Sequence, residues 1–340
     1  MTDRMDKWNP PNDCHAARGV NRRDFCRLSL VAPLAGLTAL GGFTDVRSAP
    51  SEKTDADKAY PAGRYVDVHT HLGQTWNSTE ILSAEKLLAW MDENDVAQAV
   101  VLPLTSPESS SFLLTSDFVL AETNPHRDRL IPFCCLDPRT SYTGGQKGLV
   151  SILKRWIDLG AKGFGEHKPG VKIDDSRNMA LYAACHELEL PVLFHLDEQR
   201  NMDAPGLPGL ERAIKEHPRT IFIGHGPGWW ASISGEVKQA ELGGYPTGPV
   251  APGGAIDTLM DKYPNLYGDL SAGSGAGAIM RDPKFGRDFL IRRADRLMFG
   301  TDYLSPGQKV PQLDLYRQVD LPADVAAKVY RDNARRVLKL

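Results

Sequence analysis

Two histidines one residue apart close the stretch "YVDVHTHLGQ" at residues 65–74. The apolar residues before them mark a short buried strand, and side chains alternate across a strand. His69 and His71 therefore project from one face while Thr70 projects from the other. Two imidazoles aimed at one point can chelate a divalent cation, and neutral imidazole suits zinc and its borderline neighbours. Taken alone, the pair could equally be two solvated histidines just past a strand.

Further residues of ligand type recur in the same context, each ending a short apolar run. Glu166, His167 and Lys168 follow "AKGFG", His195 ends "PVLFH", His225 ends "TIFIGH", and Asp302 ends "LMFGTD". With only nine histidines in the chain, five at such positions form a pattern rather than a scatter. Glu166 and Lys168 share a face and His167 takes the other. Glu166 could be a carboxylate ligand bridging two ions with Lys168 binding a substrate anion, or the two could be a salt-bridged pair at a rim, leaving a single ion.

These groups need a scaffold that brings strand ends together. Eight strand-like runs, "YVDVHTH", "AQAVVLPL", "LIPFCCLDP", "AKGFGEHK", "PVLFHLD", "TIFIGHG", "NLYGDLS" and "LMFGTDY", alternate with segments of helical period such as "SAEKLLAWMDEN" and "GLVSILKRWIDLG". That alternation predicts parallel strands with crossover helices, and eight such units close a (β/α)8 TIM barrel of α/β class, whose chemistry sits at the C-terminal ends of the strands. The competing open, doubly wound sheet lacks support, because no Gly-rich dinucleotide fingerprint follows the first strand.

The chain has 340 residues, 41% hydrophobic and 24% charged, with a formal net charge of -3. These are the proportions of a globular protein and give no electrostatic footprint for nucleic acid or an anionic membrane, which points to a small-molecule substrate. The N-terminal stretch "NRRDFCRLSLVAPLAGLTALGGF" pairs Arg22 with Arg23 ahead of a mildly apolar run too short for a comfortable membrane span. It resembles a twin-arginine export signal, which implies the twin-arginine translocase as a partner, a periplasmic or otherwise exported location, and no membrane span after processing. Arg47 makes the processing site near "RSAP" untidy. The expected organisation is a signal peptide over 1–49, a linker over 50–63 and a single barrel domain over 64–340. Adjacent Cys134 and Cys135 point to opposite strand faces and make a poor disulfide pair, so no disulfide framework is visible.

The motifs "VDVHTH", "FHLD", "FIGHG" and "FGTDY", with the closing helix "NARRVLKL", resemble the amidohydrolase superfamily, most of all the amidohydrolase-related branch that includes metal-dependent hydrolases, lactonases and decarboxylases similar to aminocarboxymuconate semialdehyde decarboxylase. The resemblance covers residues 64–340. It implies His69, His71, His195 and Asp302 as metal ligands, with His225 either a second-site ligand or an acid/base group, and one or two divalent ions, zinc first among them. A cation held this way lowers the pKa of bound water from about 15.7 to about 7 and polarises carbonyl oxygens. Asp302 is placed to accept a proton from that water and His225 to orient water or steady charge. Asp67 could orient an imidazole from behind or be a structural carboxylate.

Specificity is expected from the loops. In the long segment after the sixth strand, Trp229 and Trp230 could wall an apolar pocket or anchor the loop. Arg281, after the seventh strand, and Arg139, after the third, could meet a substrate carboxylate or lie on the surface. Three readings follow: a metal-dependent hydrolase of an amide, ester or lactone; a metal-dependent non-oxidative decarboxylase; and a catalytically silent binding protein on the barrel scaffold. A homo-oligomer is compatible with all three.

Overall fold

The computed structural model describes residues 63–75, 78–140 and 144–340, which fall within one compact unit, Lys58–Leu340. The expected signal peptide lies outside the described residues, as does the linker apart from its last residue.

Eight parallel strands are present among the described residues: β1 Tyr65–Thr70, β2 Val96–Val101, β3 Leu130–Pro132, β4 Phe164–His167, β5 Val192–His195, β6 Phe222–His225, β7 Leu266–Asp269 and β8 Leu297–Met298. Strands β1 to β3 and β4 to β8 pair in chain order. The two sets join through the Cys134 and Phe164 bridge on one side and the Thr70 and Tyr303 bridge on the other. Backbone bonds from Val68 N to Phe299 O and from Asp302 N to His69 O complete the ring. The result is the TIM barrel that the alternation predicts.

The helices run α1 Ala84–Glu93, α2 Ser116–Thr123, α3 Gly145–Asp158, α4 Ser176–Glu187, α5 Pro208–Glu216, α6 Pro227–Ala231, α7 Ala255–Lys262, α8 Ala272–Met280, α9 Pro283–Arg292, α10 Pro311–Gln318, α11 Ala323–Ala327 and α12 Asn333–Leu338. Several begin at side chains suited to an N-cap: Ser83 accepts from Lys86 N and Asp282 from Phe285 N. Among the described residues no helix is long and apolar enough to cross a membrane. Cys134, Cys135 and Cys185 are buried free thiols.

One apolar cluster draws Val66, Val100, Ile131, Leu193, Ile223 and Tyr267 from strands around the ring, together with Val337 and Leu338 of α12. Residues from opposite sides of a barrel meet only in its interior, so this cluster is the plug beneath the site. The period of two then does the positioning. Leu193, Ile223 and Tyr267 face inward, and so do His195, His225 and Asp269 two residues further on, one layer higher. Strand β1 departs from this rule, because its pairing with β2 slips between Asp67 and Thr70. The slip allows Val68 to join the plug while His69 still turns into the site.

Candidate metal centre

His69 and His71 meet as their spacing predicts, with Nε2 atoms 3.3 Å apart and both rings fully buried. Each Nδ1 has a fixed acceptor: Asp269 Oδ2 at 2.7 Å for His69 and the Leu102 carbonyl at 2.9 Å for His71. Both Nδ1 atoms therefore carry the proton and donate, which leaves both Nε2 atoms as bare lone pairs. Asp302 Oδ1 lies 3.5 Å from each of those nitrogens and, although the atom is buried, has no hydrogen-bond donor among the described residues. Three electron-pair donors thus converge with no proton between them. That arrangement is repulsive unless a cation lies among them, so the donor set fits a divalent metal. Asp302 holds a left-handed backbone, φ 59°, pinned by the Gln308 Nε2 bond to its carbonyl at 2.8 Å.

Glu166 extends the centre across the barrel. Its Oε2 lies 3.6 Å from His71 Nε2 and 3.9 Å from His69 Nε2. Its Oε1 lies 2.9 Å from His195 Nδ1 and 3.7 Å from His225 Nε2. Burial works to raise its pKa, but the Lys168 ammonium, 3.3 Å from Oε1, and the surrounding imidazoles hold the carboxyl well below the usual range. Three ligand groups result, each with its donor atoms within 4.8 Å of one another: His69, His71 and Glu166; Glu166, His195 and His225; and His69, His225 and Asp302.

Carboxylates absent from the sequence-based ligand set hold the imidazoles. His195 Nε2 is 2.8 Å from Asp197 Oδ2, and Asp197 is itself bound by Arg200 Nη1 at 2.6 Å. Asp269 holds His69 and accepts from Ser271 Oγ, which also lies 2.8 Å from His225 Nδ1. The orienting role considered for Asp67 belongs to Asp269. Asp67 instead receives the backbone N–H groups of His69 and Thr301, each at 3.0 Å, and its burial pushes its carboxyl up to about 7. Asp269 and Asp197 were legible in principle, at a strand end in "YGDLS" and two residues past His195 in "FHLDEQR".

The expected substrate residues are placed less favourably. Trp229 and Trp230 are fully buried in the core: Trp229 packs edge-on against Phe194 in the space Gly224 leaves bare, and Trp230 Nε1 donates to the Asp269 carbonyl at 2.9 Å. They are anchors. Arg139 is held by Glu108 and Asp137, with contacts of 2.6 and 2.7 Å. Arg281 ends α8, half-buried, and donates to the Pro246 carbonyl at 3.2 Å. Lys168 is ion-paired to Glu166. His167 faces away from the site and lies 2.9 Å, through Nε2, from Asn178 Oδ1; burial lowers its pKa to about 4.

A parallel barrel carrying imidazoles and carboxylates at the C-terminal ends of its strands defines a metal-dependent barrel enzyme. The chain belongs to the amidohydrolase family, whose sequence profile matches residues 66–340. No curated protein matches the sequence. Among solved structures, the chain is similar to an uncharacterised TIM-barrel protein from Bordetella bronchiseptica, at 17% identity over 81% of this chain and 98% of that one, TM-score 0.57. It is similar to a probable 2-pyrone-4,6-dicarboxylic acid hydrolase from Acinetobacter baumannii with citric acid bound, at 10% identity over 82% and 100%, TM-score 0.54. It is also similar to a 5-carboxyvanillate decarboxylase from Novosphingobium aromaticivorans complexed with manganese and 4-hydroxy-3-methoxy-5-nitrobenzoic acid, at 16% identity over 81% and 96%, TM-score 0.51. At these identities the likeness is one of fold. Decarboxylases recur more often than hydrolases among the similar structures.

Proposed function

We propose that this protein is a metal-dependent hydrolase that holds two divalent ions and cleaves an ester, lactone or amide bond in a small molecule. The observation that supports this reading is the division of Glu166: one oxygen faces the His69 and His71 pair, the other faces His195 and His225. A carboxylate shared in this way suits two ions, and a two-ion centre suits hydrolysis. The bound ions would supply Lewis acidity, acidifying water and polarising a carbonyl. Asp302 would accept the proton given up by the attacking water at Oδ1, the oxygen that has no hydrogen-bond donor among the described residues. Asp269 and the Leu102 carbonyl keep the His69 and His71 lone pairs turned inward. Lys168, buried and ion-paired to Glu166, keeps that carboxylate ionised for the ions.

Imidazoles and carboxylates with no thiolate suit manganese as well as zinc, so the expectation of zinc has no particular support in this ligand set. A silent binding protein has little use for four imidazoles and three carboxylates converging in one buried site. The Arg22 and Arg23 leader supports export through the twin-arginine route, with the barrel domain beginning near residue 64.

Non-oxidative decarboxylation is the second reading, and the comparisons lean toward it: a single ion at the His69, His71 and Asp302 end would hold substrate charge as carbon dioxide leaves. Turnover of ester, lactone and aromatic hydroxy acid panels in 18O-labelled water separates the two. Two ions per chain and one 18O in the carboxylic acid product, without gas release, are expected. One ion per chain with carbon dioxide release overturns hydrolysis in favour of decarboxylation.

A further inference from the structure

Asp269 and Ser271 stand behind both halves of the centre. Both side chains are fully buried. Asp269 Oδ1 receives Ser271 N–H at 3.0 Å, and Oδ2 lies 2.7 Å from His69 Nδ1 and 2.7 Å from Ser271 Oγ. Ser271 Oγ is in turn 2.8 Å from His225 Nδ1, which itself lies 3.3 Å from Asp269 Oδ2. The direction of these bonds follows from the inventory of donors. Asp269 accepts the Ser271 N–H at Oδ1 and stands against Ser271 Oγ and His69 Nδ1 at Oδ2, so donors surround the carboxylate and it acts as the acceptor. The single hydroxyl proton of Ser271 therefore points to Asp269. The Oγ lone pair is left facing His225 Nδ1, which must carry a proton. His225 Nε2 is then bare, and it is the nitrogen that faces Glu166 Oε1.

We propose that Asp269 and Ser271 form one positioning device that sets the tautomers of two histidines in different halves of the centre, His69 directly and His225 through the serine hydroxyl. The inference rests on the two-ion reading above. It has a selective consequence. Removing the hydroxyl releases His225 alone, whereas neutralising the carboxylate releases both histidines. Ser271 controls loading of the ion served by His195 and His225; Asp269 controls both ions.

The test is titration of the metal-free full-length protein with manganese, followed by mass-spectrometric metal counting and by electron paramagnetic resonance. Two equivalents with a spin-coupled signal are expected for the unaltered protein. Ser271→Ala should keep the first equivalent at unaltered affinity, weaken the second by about 10- to 100-fold, and show an uncoupled manganese spectrum. Ser271→Thr, which keeps a hydroxyl, should restore coupling. Asp269→Asn should weaken both equivalents. Circular dichroism on each apoprotein separates loss of metal from loss of fold. If the unaltered protein binds two ions and Ser271→Ala binds both with unaltered affinity, or loses both equally, the device is refuted while the two-ion reading stands. If the unaltered protein binds only one ion, the two-ion reading falls and takes this inference with it.

Discussion

Replacing Asp302 with asparagine tests the proposed base with little structural disturbance. Asp302 holds φ 59°, a region asparagine tolerates nearly as well as aspartate, whereas alanine there would add roughly 1 to 2 kcal/mol of backbone strain. The amide keeps an oxygen within the same reach of His69 and His71, whose Nε2 atoms lie 3.5 Å from Oδ1. It removes the charge and the capacity to accept a proton. General-base catalysis is worth about 10² to 10⁴ in rate, or about 2.7 to 5.4 kcal/mol. With p-nitrophenyl acetate and dihydrocoumarin as probes, kcat should fall by that range while thermal stability stays within about 1 kcal/mol of the unaltered protein. Loss of one negative charge also weakens metal retention, so turnover is read at saturating manganese with stoichiometry counted on the same sample. Near-normal kcat in a metal-replete Asp302→Asn protein would refute the assignment. The bare Nε2 of His225 would then be the leading acceptor, and His225→Gln should show the collapse instead.

Four further outcomes follow from the same geometry. His69→Ala with His71→Ala should abolish metal retention in a chain that keeps its far-ultraviolet circular dichroism; undiminished stoichiometry would place the ion elsewhere. Gly300→Ala should destabilise by about 1 to 3 kcal/mol in urea, because the added methyl would strike the Asp269 carboxylate and Ser271 Cβ. Trp230→Phe should cost about 1 to 3 kcal/mol through the orphaned Asp269 carbonyl and leave KM unchanged; a large rise in KM would return Trp230 to the substrate pocket. Arg22→Lys with Arg23→Lys should leave full-length precursor in the cytoplasm, since lysine lacks the planar guanidinium fork; normal export of the mature form would exclude a twin-arginine leader.

The barrel was legible because its strands are short apolar runs, several with a polar residue at the end, and the site because strand alternation carries that residue into one layer in β5, β6 and β7. His195 above Leu193 and His225 above Ile223 need no further information. Helices α8 and α9 were not legible, since "AGSGAGAIMRDPKF" has the local chemistry of turns. Its glycines instead serve close packing: a Cβ on Gly275 would meet the Leu270 carbonyl, and one on Gly286 the Ile279 carbonyl. The tryptophans stayed open between pocket wall and anchor for a related reason, because the space left by Gly224 that admits Trp229 to the core is invisible in the sequence.

Gly300 carries the point furthest. It stands in "FGTDY", where Asp302 draws attention as the chemical residue, and nothing nearby in sequence demands a glycine. Its φ is not in the left-handed region, so backbone freedom is no explanation. What demands it is the Asp269 carboxylate on the neighbouring strand, pressed against the bare Cα while it holds His69 and Ser271. The motif that presents the proposed base is therefore shaped by the residue that orients a ligand of the same ion. Enlarging position 300 should disturb His69 before it disturbs Asp302.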